Sequence, residues 1–111
     1  MCIRDRDIGS AVLLASLGFE ALATTSGGFA ATKGRLDGSM SADEVLAHVH
    51  ELAGATELPL SADLENCFAH EPDGVAATIA DAIDAGVAGC SVEDFSGDRD
   101  DPIYNLSLIH I

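Results

Sequence analysis

Basic residues are scarce in this chain, and their scarcity excludes two classes of partner. The sequence has 5 Lys and Arg against 19 Asp and Glu, a formal net charge of −14 over 111 residues. Nucleic-acid binding needs Lys and Arg that displace counterions from phosphates, and anionic membrane surfaces recruit the same residues. The composition therefore predicts a protein that binds neither nucleic acid nor an anionic membrane surface.

Cysteine is rare as well, and long apolar runs are missing. Cys67 and Cys90 stand in an apolar, Ala-rich sequence without the spacing of a disulfide framework or a metal motif. No apolar run is long enough to cross a bilayer as a helix. These features predict a reducing, cytoplasmic location and no transmembrane helix.

The two ends of the chain read as translations of one DNA segment. Residues 106–111 (LSLIHI) can be encoded by CTGTCTCTTATACACATC, and the reverse complement of that string encodes Met1 to Asp5 and the start of the Arg6 codon. The segment resembles the transposon end used in sequencing-library preparation; the alternative is coincidence between two unrelated hexapeptides. We therefore expect residues 1–6 and 106–111 to be non-native and exclude them from fold reasoning. Residues 7–105 are then expected to be an internal piece of a longer gene.

A unit of helix, glycine and short strand recurs three times. Ser10 is the expected N-cap of the first helix, and Ser41 with Glu44 forms the capping-box pattern of the second. The predicted helices are 10–17, 41–53 and 73–85, and the predicted strands are 19–25, 58–63 and 87–93. Such repeats are typical of parallel βα units. They fit an open doubly wound sheet or a (β/α)₈ barrel, which periodicity does not separate.

The segment between the first strand and the second helix is unusually long. Residues 26–40 (SGGFAATKGRLDGSM) are rich in glycine and are predicted to form a loop. Long loops inside compact domains are often functional. Together with the strand ends, this loop is the expected location of a site.

Acidic residues follow two of the predicted strands. Asp63 and Glu65 are two residues apart, so strand alternation places them on one face while Leu64 points to the other. Glu93 ends the next strand, and Asp94 follows it. Carboxylates that converge without compensation raise one another's pKa, and a hard cation such as Mg²⁺ relieves the repulsion. The sequence therefore favours a Mg²⁺ site here over a set of solvated acids.

Three segments carry a resemblance to a known family. The stretches GFEALATTSGGFAATKGRLDG, LPLSADLENCF and GVAGCSVEDFSGD resemble, in order and with family-like spacing, the phosphoenolpyruvate mutase/isocitrate lyase superfamily. The resemblance implies an incomplete (β/α)₈ TIM barrel, with strands two to four and their helices in this chain. It also implies Mg²⁺ as cofactor, a small-molecule 2-oxo or hydroxy acid as substrate, and a homo-oligomeric intact protein.

The resemblance assigns roles to individual positions. Asp63 and Glu65 match the paired acids of the family's metal site, and Glu93 matches a further acid of the metal shell. Asp37 in GRLDG matches a catalytic loop acid near the metal. Where the family often has Asp, this chain has the longer Glu65.

Backbone groups complete the site that the resemblance implies. Ser26, Gly27 and Gly28 match the turn whose N–H groups bind the substrate carboxylate, and glycine lets an anion approach such donors closely. The gate segment departs from the family, because FSGDRDDPIYN has neither the gate cysteine nor the gate lysine. There, Arg99 is either a solvated charge or a substrate contact. The chain resembles the less-characterised branch of the superfamily.

Three functional hypotheses follow. The first is a Mg²⁺-dependent lyase-type enzyme that makes or breaks a C–C bond next to a 2-oxo acid through an enolate. The second is a phosphonomutase that acts on a P–C bond. The third is a non-catalytic Mg²⁺-binding acidic α/β module. Because a fragment of a barrel exposes sheet edges, the chain by itself is expected to be inactive.

Overall fold

Four parallel strands and four helices build the chain in a computed structural model that describes residues 2–105. The strands lie in one sheet in the order β1-β2-β3-β4, and every neighbouring pair is parallel. In chain order the elements are β1 Cys2–Arg4, α1 Ile8–Ser16, β2 Ala21–Ala23, α2 Ser26–Thr32, α3 Ala42–Ala55, β3 Leu60–Asp63, α4 Pro72–Asp84 and β4 Gly89–Ser91. The predicted parallel βα organisation is confirmed. The expectation for residues 106–111 lies outside the described residues.

Strand β1 is an element that the sequence does not predict, because residues 1–6 stand outside the expected fold. Cys2–Arg4 pairs with β2 in the register Cys2↔Ala21, Ile3↔Leu22 and Arg4↔Ala23. An open strand edge offers backbone donors and acceptors to any extended segment, whatever its side chains. The pairing therefore does not test whether these residues are native, and their non-native origin stays a prediction.

Capping interactions begin two of the helices. Ser41 Oγ accepts from Glu44 N at 3.3 Å and Glu44 Oε2 accepts from Ser41 N at 2.8 Å, so the predicted capping box of α3 is confirmed. Helix α1 starts earlier than expected, because its N-cap is Asp7 and not Ser10. Asp7 Oδ1 accepts from Ser10 N at 2.7 Å, and Ser10 Oγ accepts from Asp7 N at 3.1 Å.

Helix α2 corrects the loop that the sequence predicts at residues 26–40. Gly27 and Gly28 have low helix propensity, which indicates a loop. The helix forms because its face buries Phe29 and Ala30 against the core. Within residues 26–40, only the part that follows α2 is irregular. Met40, at its end, is buried in the core.

The core lies between the sheet and the helices. Its largest fully buried side chains include Leu22 of β2, Leu52 of α3 and Leu64 after β3. Cys67 is a buried free thiol, whose pKa is raised to about 11 by burial. Cys90 is exposed, although its place in a strand predicts packing, because no described element covers that face of β4. Within residues 2–105 no helix is both long and apolar enough to span a membrane.

An aromatic stack joins α2 to α3. The rings of Phe29 and His48 lie 3.9 Å apart between centroids and are parallel within 6°. His48 is buried, and its Nε2 has no hydrogen-bond partner among the described residues. Burial lowers the pKa of His48, Lys33 lowers it further, and Glu51 and Asp7 oppose the shift. His48 is therefore held neutral at neutral pH.

This histidine makes the stability of the fold depend on pH. A group whose folded pKa is depressed takes up its proton more readily in the unfolded chain, so stability is lost as pH falls below about 6.5, the ordinary histidine pKa. Asp5 acts in the opposite sense, because burial raises its folded pKa to about 6. The His48→Phe variant separates the two groups. From pH 7.5 to 5, urea unfolding should show the wild type losing stability relative to this variant; a pH-independent difference would contradict the assignment.

Candidate active site

The carboxyl ends of β2, β3 and β4 meet at one edge of the sheet. Residue pairs Ala23↔Ser61 and Asp63↔Ser91 set the register of these strands. The segments that leave them carry the polar side chains that the sequence singles out. Parallel sheets form their sites at this edge because every strand presents its carboxyl end there.

Asp63 is the most constrained acid at this edge. The residue is buried, with 9% of its surface exposed. Oδ2 accepts from Ser26 N at 3.1 Å and Oδ1 accepts from Glu65 N at 3.3 Å. The backbone N–H of Asp63 donates to Thr24 Oγ1 at 2.8 Å. Thr24, which sequence reasoning missed, therefore connects β2 to the acid of β3; its only sequence signal is a hydroxyl at the end of an apolar strand.

Glu65 lies where the other acids converge. Its backbone adopts a left-handed φ of 51°, which is uncommon for a residue with a side chain. Its Oε1 is buried and has no hydrogen-bond partner within residues 2–105. Burial raises the pKa of Glu65, and the charges of Asp37, Asp63 and Glu93 raise it further. The charges of three carboxyl groups, each from a different segment of the chain, thus reach Glu65.

Glu93 and Asp37 reach this point from different sides. The backbone N–H of Glu93 donates to the carbonyl oxygen of Glu65 at 2.7 Å, which ties the end of β4 to the end of β3. Asp37 comes from the loop after α2. A Cβ on Gly27 would lie 3.2 Å from the Asp37 carboxylate, so glycine at this position permits the close approach. Both side chains are exposed.

The first turn of α2 presents backbone donors to the same edge. Thr25, the N-cap, makes no side-chain capping bond. Ser26 N–H is used by Asp63, whereas the N–H groups of Gly27 and Gly28 meet no acceptor among the described residues. Gly28 is crowded, because an added Cβ would overlap Thr25 Cγ2 and lie 3.0 Å from Arg6 Cγ.

Two adjoining cavities open between these segments. The larger, of about 540 Å³, is lined by the acids Asp37, Glu65 and Glu93 and by Arg99 of the segment that follows β4. It is lined by Asp37, Gly38, Met40, Glu65, Asn66, Phe68, His70, Glu93, Phe95, Ser96, Gly97 and Arg99. The smaller, of about 290 Å³, is mainly apolar and shares Asn66, His70 and Glu93 with the larger. Arg99 thus lines the acidic cavity and is exposed.

A hydrogen-bonded cluster forms the wall between the cavities. Tyr104 Oη lies 2.7 Å from His70 Nδ1, and Asn66 Nδ2 donates to the same hydroxyl at 2.9 Å. Tyr104 closes the hairpin of residues 94–104, because its N–H donates to Asp94 O. Sequence reasoning missed this cluster, since His70 and Tyr104 are 34 residues apart and belong to no local motif.

The donor set suits a hard cation in type. Within residues 2–105, no group of three or more His, Cys, Asp or Glu side chains is arranged to bind a metal ion by itself. Mg²⁺ does not require one, because it commonly takes one or two carboxylates and fills its other positions with water and substrate oxygens. The unpartnered Glu65 Oε1, beside the fixed Asp63 carboxylate, supplies oxygen ligands of the required chemistry. The residues present therefore fit Mg²⁺.

Comparison with known proteins finds one matching family model and several similar solved structures. A family model described as Phosphoenolpyruvate phosphomutase matches residues 6–109. A crystal structure from Burkholderia cenocepacia J2315, described as a lyase/mutase, has 48% identity and a TM-score of 0.93 over 96% of this chain and 38% of its own. A second structure from the same organism, described as a phosphonomutase, has 34% identity and a TM-score of 0.87. The match covers 96% of this chain and 44% of the phosphonomutase chain.

A third similar structure is 2,3-dimethylmalate lyase, described as a member of the PEP mutase/isocitrate lyase superfamily. It has 25% identity and a TM-score of 0.87, with coverage of 96% of this chain and 38% of its own. No curated protein matches the chain. The chain thus spans less than half the length of these solved relatives.

Proposed function

Because the chain belongs to the phosphoenolpyruvate phosphomutase family, within the phosphoenolpyruvate mutase/isocitrate lyase superfamily, we propose that it is part of a Mg²⁺-dependent lyase-type enzyme. The reaction makes or breaks a C–C bond next to a 2-oxo acid through an enolate. The observation that carries this proposal is the convergence of Asp37, Asp63 and Glu93 on Glu65, whose buried Oε1 lacks a partner.

Asp63, Glu65 and Glu93 are the proposed metal ligands. Bound Mg²⁺ would supply Lewis-acid stabilisation of the negative charge that develops on the 2-oxo oxygen. Asp63 is positioned by the N–H groups of Ser26 and Glu65, so its carboxylate is oriented before any ligand arrives. Asp37, next to Gly27, is the proposed catalytic carboxylate of the loop.

Ser26, Gly27 and Gly28 are the proposed substrate-binding turn. The N–H groups of Gly27 and Gly28 are the donors for the substrate carboxylate, since neither has an acceptor within residues 2–105. Ser26 connects this turn to the metal site through its bond to Asp63. Fixed backbone donors hold an anion without reorganisation when charge develops.

We also propose that the chain is an incomplete (β/α)₈ barrel in which β2 to β4 are strands two to four. Its span of 38% of the lyase/mutase structure supports this. Asp5 supports a non-native origin of residues 1–6, because it is 1% exposed and neither carboxylate oxygen has a described partner. Buried carboxylates in native folds seldom lack a hydrogen-bond partner. The intact protein would be a cytoplasmic homo-oligomer, and the chain alone inactive.

The test begins with the gene. Outward amplification from residues 18–94 in the source DNA should show the reading frame continuing beyond Asn105 into further βα units. The intact protein should then release a 2-oxo acid from hydroxy-acid substrates, lose this activity with a chelator, and regain it with Mg²⁺. A frame that stops after Ile111 would contradict the barrel proposal, and chelator-resistant activity would contradict the metal.

A phosphonomutase is the second candidate, and the structure described as a phosphonomutase at 34% identity favours it. Interconversion of phosphonopyruvate and phosphoenolpyruvate, followed by phosphorus NMR, would distinguish the two reactions. Mg²⁺ binding without turnover of either substrate class would instead indicate the non-catalytic acidic module.

A further inference from the structure

We propose that His70, held by Tyr104, is the residue that carries the proton to and from the substrate carbon next to the 2-oxo group. The inference rests on the proposed function, because it concerns the enolate that the lyase reaction forms. It assigns the proton transfer at carbon to His70 and Tyr104, which lie outside the cluster of Asp37, Asp63, Glu65 and Glu93.

The reaction needs a proton carrier that the gate segment lacks. When the C–C bond breaks, the electron pair stays on C3 as an enolate, and this carbon must gain a proton. The gate segment of residues 95–105 contains neither Cys nor Lys. Asp63 accepts two backbone hydrogen bonds, and Glu65 and Glu93 are proposed metal ligands. The ionisable side chains left on the large cavity are Asp37, His70 and Arg99.

His70 is the one of these three with a second proton-bearing group attached. Its Nδ1 lies 2.7 Å from Tyr104 Oη. The Tyr104 hydroxyl in turn accepts from Asn66 Nδ2 at 2.9 Å, while Ala69 O lies farther away, at 3.4 Å. With Nδ1 occupied by this hydroxyl, Nε2 is the ring nitrogen that remains for the cavity. His70 lines the same cavity as Glu65 and Glu93, the proposed metal ligands, and also the adjoining smaller cavity that Tyr104 lines.

The proton balance of the step is complete within this cluster. The Nε2–H bond of His70 breaks as a C3–H bond forms, and the enolate electron pair becomes that bond. Nδ1 takes the hydroxyl proton of Tyr104, so the imidazole stays neutral. The phenolate oxygen keeps the electron pair of its O–H bond and accepts the hydrogen bond from Asn66 Nδ2. A proton from water then reaches Nε2 while Nδ1 returns its proton to the Tyr104 phenolate, which restores the starting tautomer and leaves hydroxide in the solvent.

The experiment uses the intact protein with Mg²⁺, and pyruvate as the probe. Enolate formation exchanges the C3 protons of pyruvate for deuterium in D₂O, which proton NMR follows directly. Oxalate, whose two carboxylates imitate the planar enolate, measures binding by calorimetry. In His70→Gln the exchange rate should fall by about 100-fold or more while oxalate affinity stays within about twofold, as expected for loss of a general acid–base group. Added imidazole should restore part of the exchange in His70→Ala.

Tyr104 is a positioning residue, and its variant has its own measurement. Tyr104→Phe keeps the ring and removes the hydroxyl, so exchange should slow by about tenfold, as for one lost hydrogen bond in the transition state. The nitrogen-15 shifts of His70 should also move, because the hydroxyl that fixes the Nε2–H tautomer is gone. A purely structural role would leave the tautomer unchanged. His50→Gln, on α3 and bonded to Ala85 O, is the matched histidine control and should exchange like the wild type.

The outcomes separate this inference from the function on which it rests. Undiminished exchange in His70→Gln, with oxalate still bound, would overturn the inference and leave the lyase proposal in place. Absence of Mg²⁺-dependent oxalate binding in the wild type would overturn both. Loss of exchange together with loss of oxalate binding in His70→Gln would assign His70 to substrate binding and so overturn the proton-transfer role.

Discussion

Replacing Asp63 by alanine should reduce Mg²⁺-dependent turnover of the intact protein by about a thousandfold or more, the scale expected when a central electrostatic group of a buried site is lost. The change removes a proposed metal ligand. It also removes the acceptor of two backbone hydrogen bonds, from Ser26 at 3.1 Å and from Glu65 at 3.3 Å. The substrate turn and the second acid therefore lose their common anchor. Steady-state kinetics across a Mg²⁺ titration measures the effect.

Two variants show which of these losses matters. Asp63→Asn keeps one acceptor oxygen and removes the charge, so Mg²⁺ affinity should fall while the melting temperature stays near that of the wild type. Asp81→Ala, on the exposed part of α4, removes the same charge far from the site and should leave turnover unchanged. Wild-type turnover in Asp63→Ala would disprove the metal site and, with it, the central argument for the function.

Truncating Leu64 to alanine should lower the free energy of unfolding by about 2–5 kcal/mol, the range for a buried leucine that leaves a cavity. Leu64 is 0% exposed and lies between the two acids, with its side chain in the core. Its loss should also weaken Mg²⁺ binding, because the same short segment holds Asp63 and Glu65. Urea denaturation of the intact protein measures the first effect and calorimetry the second.

Leu36→Ala is the matched control for this prediction. Leu36 is 84% exposed in the loop after α2, and surface substitutions of this kind change stability by less than about 0.5 kcal/mol. If Leu64→Ala were as mild as Leu36→Ala, the side chain would not be part of the core, and the placement of the acids opposite it would be wrong.

Local chemistry was sufficient to predict several elements. The capping box of Ser41 and Glu44 was recognisable because both partners lie within one turn. The predicted burial of Leu64 between Asp63 and Glu65 is confirmed, although β3 ends at Asp63 and Glu65 adopts a left-handed φ of 51°, so strand alternation does not extend to the second acid. Each of these signals involves residues a few positions apart, where backbone geometry dictates which side chains can meet.

Other elements differed from what local residue preferences predicted. Gly27 and Gly28 indicated a loop, but the burial of Phe29 and Ala30 made the segment helical. Ser10 looked like a cap, although it stands at the third helical position opposite the true cap, Asp7. Strand β1 formed because the edge of β2 was open to pairing, a property of the assembled sheet and not of residues 2–4.

What the sequence determined by itself was the alternation of three helices with three strands, the capping of α3 and the candidate acids at the strand ends. Only the tertiary structure decided that Asp37 approaches Glu65, that Gly27 makes room for it, and that Tyr104 reaches His70. The physical reason is distance along the chain. Short-range patterns report backbone geometry, whereas contacts between remote loops arise only when strand register and helix packing bring them to one edge of the sheet.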